Sequence, residues 1–416
     1  MLNSTMSSPA CRACGKALEH VFADLGSSPL SNSYLNAEDL GKMEPVYPLK
    51  AYVCESCFLV QLEAFETPQK LFQEYAYFSS YSESWLRHSR QYAEMAISRF
   101  GLGCNSLVVE VASNDGYLLQ FFRQAGIPVL GIEPAQNLAK AAEGLGIPTV
   151  VEFLGGQTGA SIAQRGHAAD LLVANNVLAH VPDLNDFIAG LATLLKPQGV
   201  LTLEFPHLRR LIEGSQFDTI YHEHFSYFSL LAASAALRRH GLEVFDVEEI
   251  DTHGGSLRVY AAHANCARQR MTRKPSLLIE NERTAGLDQL AAYSSFHSRM
   301  RAAKHALLKF MVEARDAGQT IVGYGAPAKG NTLLNYCGIG TDFLEYTVDR
   351  NPYKQGRYLP GTHIPVFAPE HISDTKPDYV LILPWNIRDE IVGQMSHIRG
   401  WGGRFVVPIP RPQVIE

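Results

Sequence analysis

Apolar and polar positions follow different rhythms along this chain, and the changes of rhythm divide it into three territories. Up to residue 72 the apolar runs are short, as in Ala51-Tyr52-Val53, and prolines and closely spaced cysteines interrupt them. Between 73 and 290, apolar runs at 106–111, 129–132, 170–174 and 200–203 alternate with amphipathic stretches. That alternation predicts a parallel sheet with crossover helices. A further strand is expected at 257–262, and a long helical pattern covers 277–317. The territory 291–416 then restarts the alternation, with strands expected at 320–324, 343–349 and 379–383 and a helix reaching Tyr336. No repeat of solenoid period and no low-complexity tract interrupts this pattern. The expected fold class is α/β in three domains: 1–72, 73–290 and a smaller Rossmann-like unit over 291–416.

Composition narrows the function classes. A chain of 416 residues, 46% apolar and 19% charged, reads as a soluble globular protein too long for one ordinary core. Its net charge of −6 comes without a basic stripe, which argues against a nucleic-acid or anionic-membrane partner. No apolar run is long enough to span a bilayer. Met1 to Met6 has neither the basic start nor the apolar core of a signal peptide, so a cytoplasmic protein is expected, as a monomer. In that compartment the seven cysteines are thiols or metal ligands in preference to disulfides.

Cys11-Arg12-Ala13-Cys14 and Cys54-Glu55-Ser56-Cys57 are two Cys-x-x-Cys knuckles. Each puts two thiolates on one tight turn, and together they make a closed tetrahedral soft-ligand set for structural Zn2+. Four free thiols or a redox pair are the alternatives, but no thioredoxin-like pattern accompanies them. Cys104, Cys266 and Cys337 are expected to be small buried apolar residues.

The apolar strand ending Glu110-Val111 runs into Ala112-Ser113-Asn114-Asp115-Gly116 and then a helix, which forms a cofactor crevice. It lacks the Gly-x-Gly-x-x-Gly of dinucleotide binders. The next strand ends at Glu133, placed to accept hydrogen bonds from ribose hydroxyls. These features resemble the class I S-adenosylmethionine-dependent methyltransferases. The resemblance implies cofactor contacts at Glu110, Ala112, Ser113, Asn114, Asp115, Gly116 and Glu133, and a segment along the cofactor at Asn175-Asn176 through His180.

Tyr221-His222-Glu223-His224-Phe225 is dense in proton-transfer groups. An extended chain would put His222 and His224 on one face and Tyr221 and Glu223 on the other; a tight turn would bring them together. Both arrangements are open at this point. The His-x-His pair lacks the His-Glu-x-x-His spacing of a helical metal site. Methylation of carbon accounts for the cluster, because carbon beside a ketone needs a base and an enolate-stabilising donor before it is nucleophilic. The aromatic and hydroxyl run 75–82, with Tyr75, Tyr77 and Ser80, suits the two faces of a sugar. Arg258, after His253-Gly254-Gly255, is placed to meet a phosphate or to end a plain structural turn. In the last territory Gly323-Tyr324-Gly325-Ala326-Pro327-Ala328-Lys329-Gly330 opens a helix, where amides and Lys329 can approach phosphate oxygens. A dinucleotide site, with Asp349 as ribose acid, is the rival reading there.

Taken along its whole length, the chain resembles the deoxysugar C-3' methyltransferases that act on thymidine-diphosphate 4-keto sugars, with the tetronitrose branch nearest. The motifs that carry this are the paired knuckles, the 75–82 run, Glu-Val-Ala-Ser-Asn-Asp-Gly, Tyr-His-Glu-His-Phe, His-Gly-Gly-Ser-Leu-Arg and Gly-Tyr-Gly-Ala-Pro-Ala-Lys-Gly. The resemblance implies a zinc-binding N-terminal domain, a central methyltransferase domain and a C-terminal Rossmann-like domain that helps hold a dTDP-linked 3-amino-2,3,6-trideoxy-4-keto hexose. It implies His224 as base, with Tyr221, Glu223, His180 and Tyr75 around the sugar, Tyr77, Ser80, Lys329 and Asn386 as substrate contacts, and methyl transfer with inversion. A nucleotide-sugar oxidoreductase, a non-catalytic zinc scaffold, and O- or N-methylation are the competing readings.

Overall fold

A computed structural model describes residues 9–67, 79–267 and 269–415. In the first unit His20–Ser28 (β1) pairs antiparallel with Tyr47–Val53 (β2), which pairs with Val60–Leu62 (β3). Along β2 the inward residues Leu49, Ala51 and Val53 alternate with more exposed ones, the signature of a sheet with one buried face.

The central sheet takes Val108–Val111 (β4), Val129–Ile132 (β5), Thr149–Val150 (β6), Ala169–Asn175 (β7) and Leu195–Pro206 (β8) in the parallel order β6-β5-β4-β7-β8. Every residue of β4 and β5 is buried, because helices cover both faces of a parallel sheet. Ser226–Tyr227 (β9) leaves this sheet and pairs with β3 as fourth strand of the first one. Leu242–Ile250 (β10) and Ser256–His263 (β11) complete the central sheet, β11 lying antiparallel between β8 and β10.

The last unit is a third sheet of Ile321–Tyr324 (β12), Thr347–Val348 (β13), Val366–Phe367 (β14), Tyr379–Ile382 (β15), Arg404–Val407 (β16) and Gln413–Ile415 (β17), in the order β14-β13-β12-β15-β16-β17. Only β17 runs antiparallel to its neighbour. Its core is continuous with that of the first unit: Phe22 of β1 stacks on Phe296 with ring centroids 4.4 Å apart. Among the described residues no helix is long and apolar enough to cross a membrane.

Several expectations need correction. The helix expected over 277–317 is broken into Lys274–Thr284, a single turn Ala291–Ser294 and Phe296–Asp316, with Gly286 at φ +80° ending the first. The strand expected at 343–349 shrinks to Thr347–Val348, since Leu344 N–H closes a turn on the Gly340 carbonyl at 3.0 Å. Strands β1 and β10 had no counterpart in the pattern, because register shifts at Val21/Ala23, Asp24/Ser27 and Val244/Asp246 break the period of two. Of the three unpaired cysteines only Cys337 is buried; Cys104 is exposed in a loop, and Cys266 is part-exposed with Sγ 3.5 Å from Gln198 Oε1.

One buried carboxylate ties the linker to the central domain. Glu282, 0% exposed, accepts the Leu230 and Leu231 N–H groups at 2.6 and 2.8 Å, and His207 Nε2 lies 2.8 Å from it. It thereby satisfies two orphan amides at the start of the helix Leu230–Arg239. Glu282→Ala should lower the unfolding free energy by about 2–4 kcal/mol in a urea titration. A loss under about 0.5 kcal/mol, the range of ordinary surface changes, would show that the helix start is satisfied otherwise.

Candidate functional site

The strand order reverses on either side of β4, and the carboxyl ends of β4, β5 and β7 open there into a cavity of about 710 Å³. The turn after β4 is tight: Ala112 and Asn114 take φ +54° and +51°, a conformation Asn tolerates better than Ala. Asn114 Oδ1 accepts the Ser79 N–H and the Asp115 N–H, each at 3.0 Å. The Glu133 carboxylate accepts the Asn114 and Ala135 N–H groups at 2.9 Å each. Burial raises the pKa of Glu133, and those two amides oppose the shift.

The nine residues expected at the cofactor separate into two layers. Ala112, Asn114, Glu133, Asn175 and Asn176 line the cavity. Glu110, Ser113, Asp115 and Gly116 stand behind the wall. A Cβ on Gly131 would meet Ser113 Oγ at 2.5 Å, so Ser113 packs on the neighbouring strand. Asp115 Oδ2 accepts the Ser80 N–H at 3.1 Å, and burial holds the Glu110 carboxyl well above the usual carboxylate range against the Tyr117 hydroxyl. On the wall itself the side-chain Oδ1 atoms of Asn175 and Asn176 are buried and have no hydrogen-bond partner among the described residues. Buried acceptors of this kind want donors, and a cofactor with amine and hydroxyl donors supplies them.

Facing that wall, the 221–224 segment is a tight turn closed by the His224 N–H on the Tyr221 carbonyl at 2.8 Å. The turn brings Tyr221 Oη within 2.8 Å of His224 Nε2, while His222 is directed away, 3.1 Å from the Pro48 carbonyl. His224 Nδ1 lies 2.9 Å from the Thr219 carbonyl, an acceptor only, so Nδ1 carries the proton and Nε2 keeps its lone pair. Burial, then the neighbouring His180, push His224 well below the usual imidazole range; the Thr219 carbonyl opposes. The two rings meet edge to face at 4.8 Å, and His180 is itself lowered by burial to about 4. Burial raises Glu223 to about 7, although Asn32 Nδ2 donates to both its oxygens at 2.8 and 2.9 Å.

The third unit closes the cavity with Pro327, Ala328 and Lys329. Lys329 Nζ donates to Asn386 Oδ1 at 2.7 Å and lies 4.6 Å from the Trp385 ring centroid, and Trp385 Nε1 donates to Asp218 Oδ2 at 2.6 Å. Asn386 therefore supports Lys329 from behind the wall, and so does Ser80 relative to Asp115; neither lines the cavity among the described residues. Tyr75 and Tyr77 lie outside the described residues. Arg258 meets no phosphate position: its Nε donates to Glu204 Oε1 at 2.6 Å, with His88 on the other oxygen at 3.0 Å. The rival dinucleotide loop is filled from within. Asp349 Oδ2 accepts the Ala326 N–H at 2.7 Å, the Tyr34 hydroxyl and Lys354 both donate to the Ala326 carbonyl, and a Cβ on Gly325 would meet Pro384 at 2.5 Å.

Sequence reasoning passed over Asn32, Tyr34, Thr219 and Lys354, all on the cavity wall, where His253 of the His253-Gly254-Gly255 motif also lies. The polar run Ser31-Asn32-Ser33-Tyr34 between the knuckles was the one signal in the sequence for the first two.

The knuckles meet as expected from their spacing. The four Sγ atoms of Cys11, Cys14, Cys54 and Cys57 lie within 4.8 Å of one another, with Cys11–Cys57 and Cys14–Cys54 at 3.5 Å. Four zinc–sulfur bonds of about 2.3 Å require sulfurs about 3.8 Å apart, so the set fits a tetrahedral zinc ion. Hydrogen bonding from Cys57 and Gln61 favours the Cys11 thiolate, held at about 4.

Fold, cavity and thiol cluster define a zinc-binding, S-adenosylmethionine-dependent methyltransferase. Family models match three segments: a zinc binding domain over 11–72, a methyltransferase domain over 85–247 and a C-methyltransferase C-terminal domain over 251–410. The chain is 39% identical over 409 residues to the C-methyltransferase NovU of Streptomyces niveus, covering 98% of this chain and 96% of that protein. It belongs to that C-methyltransferase family. A shorter likeness, 32% over 152 residues and 61% of the relative, is to a ubiquinone biosynthesis O-methyltransferase of Bordetella avium. Among solved structures, the 1,6-didemethyltoxoflavin-N1-methyltransferase of Burkholderia thailandensis aligns over 49% of this chain and 94% of its own, at 15% identity and a TM-score of 0.36.

Burial favours the neutral form of His180, His224 and His253 in the folded protein. His180 and His253 are lowered to about 4, below the unfolded value of about 6.5, so the unfolded chain binds more protons between those values. Their contribution to stability is lost as pH falls through that window, whereas Asp218 and Glu223, raised to about 6 and about 7, act in the opposite sense. Imidazole carbon and proton resonances of His180 and His253 should titrate with midpoints of about 4. Midpoints of about 6.5 would mean that water reaches both rings.

Proposed function

We propose that this C-methyltransferase adds a methyl group to C-3' of a thymidine-diphosphate 4-keto deoxysugar, a 3-amino-2,3,6-trideoxy hexose. The observation that carries the proposal is His224 Nε2: a neutral nitrogen on the cavity wall whose tautomer is set by the Thr219 carbonyl and whose lone pair faces the Tyr221 hydroxyl. The acceptor class rests on the family resemblance of the sequence motifs.

Deprotonation beside the ketone is the step this arrangement serves. His224 Nε2 takes the C-3' proton, and the Tyr221 hydroxyl, released from Nε2, turns its proton toward the enolate oxygen at C-4'. His180, neutral and in edge contact with His224, excludes water and leaves no competing cation beside the base. Glu223, anchored by Asn32, is poised to hold the amine at C-3', with Tyr75 and Tyr77 completing the sugar site. Lys329, steadied by Asn386, is the group for the diphosphate, and Ser80 supports the turn through Asp115. S-adenosylmethionine supplies the electrophilic methyl group when bound. Its amino-acid end falls to Ala112 and Asn114, its ribose to Glu133, and Asn175 and Asn176 lie alongside, with Glu110, Ser113, Asp115 and Gly116 shaping the turn. Cys11, Cys14, Cys54 and Cys57 would fill all four positions of a zinc ion and leave none for the acceptor, so the metal would be structural.

Turnover of the C-3'-deuterated sugar with labelled S-adenosylmethionine tests the reading. A methyl on a quaternary C-3' with loss of the deuteron is expected; a methyl on oxygen or nitrogen with the deuteron retained would overturn it. His224→Asn should lower kcat about 10²- to 10⁴-fold while S-adenosylmethionine binding, followed by calorimetry, stays as in the parent.

A further inference from the structure

The second knuckle runs directly into a strand that touches the Tyr221–His224 turn. The Cys54 N–H donates to the Leu59 carbonyl at 3.0 Å, and β3 begins at the next residue. Gln61, in the middle of β3 and 0% exposed, occupies two sites at once. Its side chain belongs to the thiol cluster: Nε2 donates to Cys11 Sγ at 3.2 Å, and Oε1 accepts Arg12 N–H at 2.9 Å and Nε–H at 3.4 Å. Its backbone belongs to the other site: Gln61 pairs with Ser226, Val60 pairs with Tyr227, and the Leu62 N–H donates to the Phe225 carbonyl at 3.0 Å. Arg12 closes the loop, its guanidinium donating to the Leu62 carbonyl and lying 5.4 Å from the centroid of the Phe225 ring.

The first knuckle is anchored from behind. The Ala13 carbonyl accepts from Arg239, and the Arg12 carbonyl accepts from Asn185 Nδ2 at 2.9 Å, with His240 Nε2 3.0 Å from Asn185 Oδ1. The four thiols therefore stand between two helices of the central domain and the β3–β9 pair, whose second strand follows the His224 turn.

We propose that Gln61 is a positioning residue through which the four-cysteine site sets the place of the Tyr221–His224 turn, an inference that rests on reading His224 as the base. β3 and β9 are three and two residues long, and an antiparallel pair that short has no stability of its own. On its other side β3 is held by β2, and at the thiol cluster it is held by the knuckle before it and the bonds of Gln61 to Cys11 and Arg12. Outer-layer partners of a metal site typically change affinity or activity about 10- to 100-fold when removed. A displacement of about 1 Å at reacting groups costs about 10²-fold in rate.

The test uses the full-length zinc protein. Gln61→Leu keeps the bulk and removes every side-chain hydrogen bond; Gln61→Glu keeps an acceptor for Arg12 and removes the donor to Cys11. Zinc release to a chromogenic chelator, amide hydrogen exchange, S-adenosylmethionine binding, and kcat and KM are measured on both. Gln61→Leu should release zinc about 10-fold faster or more. It should also lose amide protection selectively at 60–62 and 221–227, and lower kcat about 10- to 100-fold with KM and cofactor affinity unchanged. Gln61→Glu should match it in zinc release and fall between it and the parent in protection and kcat, because the Arg12 bonds survive. Faster zinc release with protection at 221–227 and kcat unchanged would overturn the proposal, as would protection lost evenly along the whole chain. If the parent enzyme turns over the C-3'-deuterated sugar with the deuteron retained, the base reading fails, while selective loss of protection at 221–227 still upholds the coupling.

Discussion

The pairing of β3 with β9 is the contact on which the arrangement of the site depends. It is short, Val60 opposite Tyr227 and Gln61 opposite Ser226, yet it joins the cysteine-rich unit to the segment that follows His224. Short strands gain little from their own hydrogen bonds, so their order is borrowed from what surrounds them. Here the surroundings are strand β2, the thiol cluster, Arg12 and the buried ring of Phe225. The N-terminal unit is thereby part of the active cavity and not an appended module; Leu30, Asn32, Ser33 and Tyr34 reach the cavity wall directly.

Desolvation sets the chemistry of that cavity. Three histidines and a lysine close together in water would titrate near their ordinary values, but here burial pushes His180, His224, His253 and Lys329 all downward. The same burial pushes Glu223 and Asp218 upward. With the three histidines biased toward their neutral form, His224 stays available as the base of the proposed deprotonation. Water is displaced by aromatic and aliphatic walls such as Phe187, Phe205 and Phe228.

The third sheet shows how a nucleotide-binding turn is put to another use. Its strand-turn-helix geometry is intact, with β12 leading through Gly325 into the helix Ala328–Cys337. The positions that would receive a pyrophosphate and a ribose are taken by Asp349, Tyr34 and Lys354. The free surface of the turn is displaced to Pro327, Ala328 and Lys329, which face the methyltransferase cavity.

The alternation of apolar runs and amphipathic stretches was enough to specify the α/β class, because strand and helix periods are local properties of the chain. β5 begins and ends where its apolar run does, and β7 and β15 extend beyond or stop short of theirs by a single residue. The four cysteines were legible for the same reason: two residues between thiols fix a knuckle without reference to the rest of the fold. The bulged strands β1 and β10 escaped, since one extra residue inverts the alternation on which a strand is recognised. So did the division of the nine cofactor candidates into wall and support, and the choice at 221–224 between an extended chain and a turn. Those outcomes turn on which atoms lie across the cavity: the Thr219 carbonyl at His224, Asn32 at Glu223, Glu204 at Arg258. Contacts between residues far apart in the chain carry no periodic signal, and the burial that shifts His180, His224, His253, Lys329, Asp218 and Glu223 exists only once all three units have packed together.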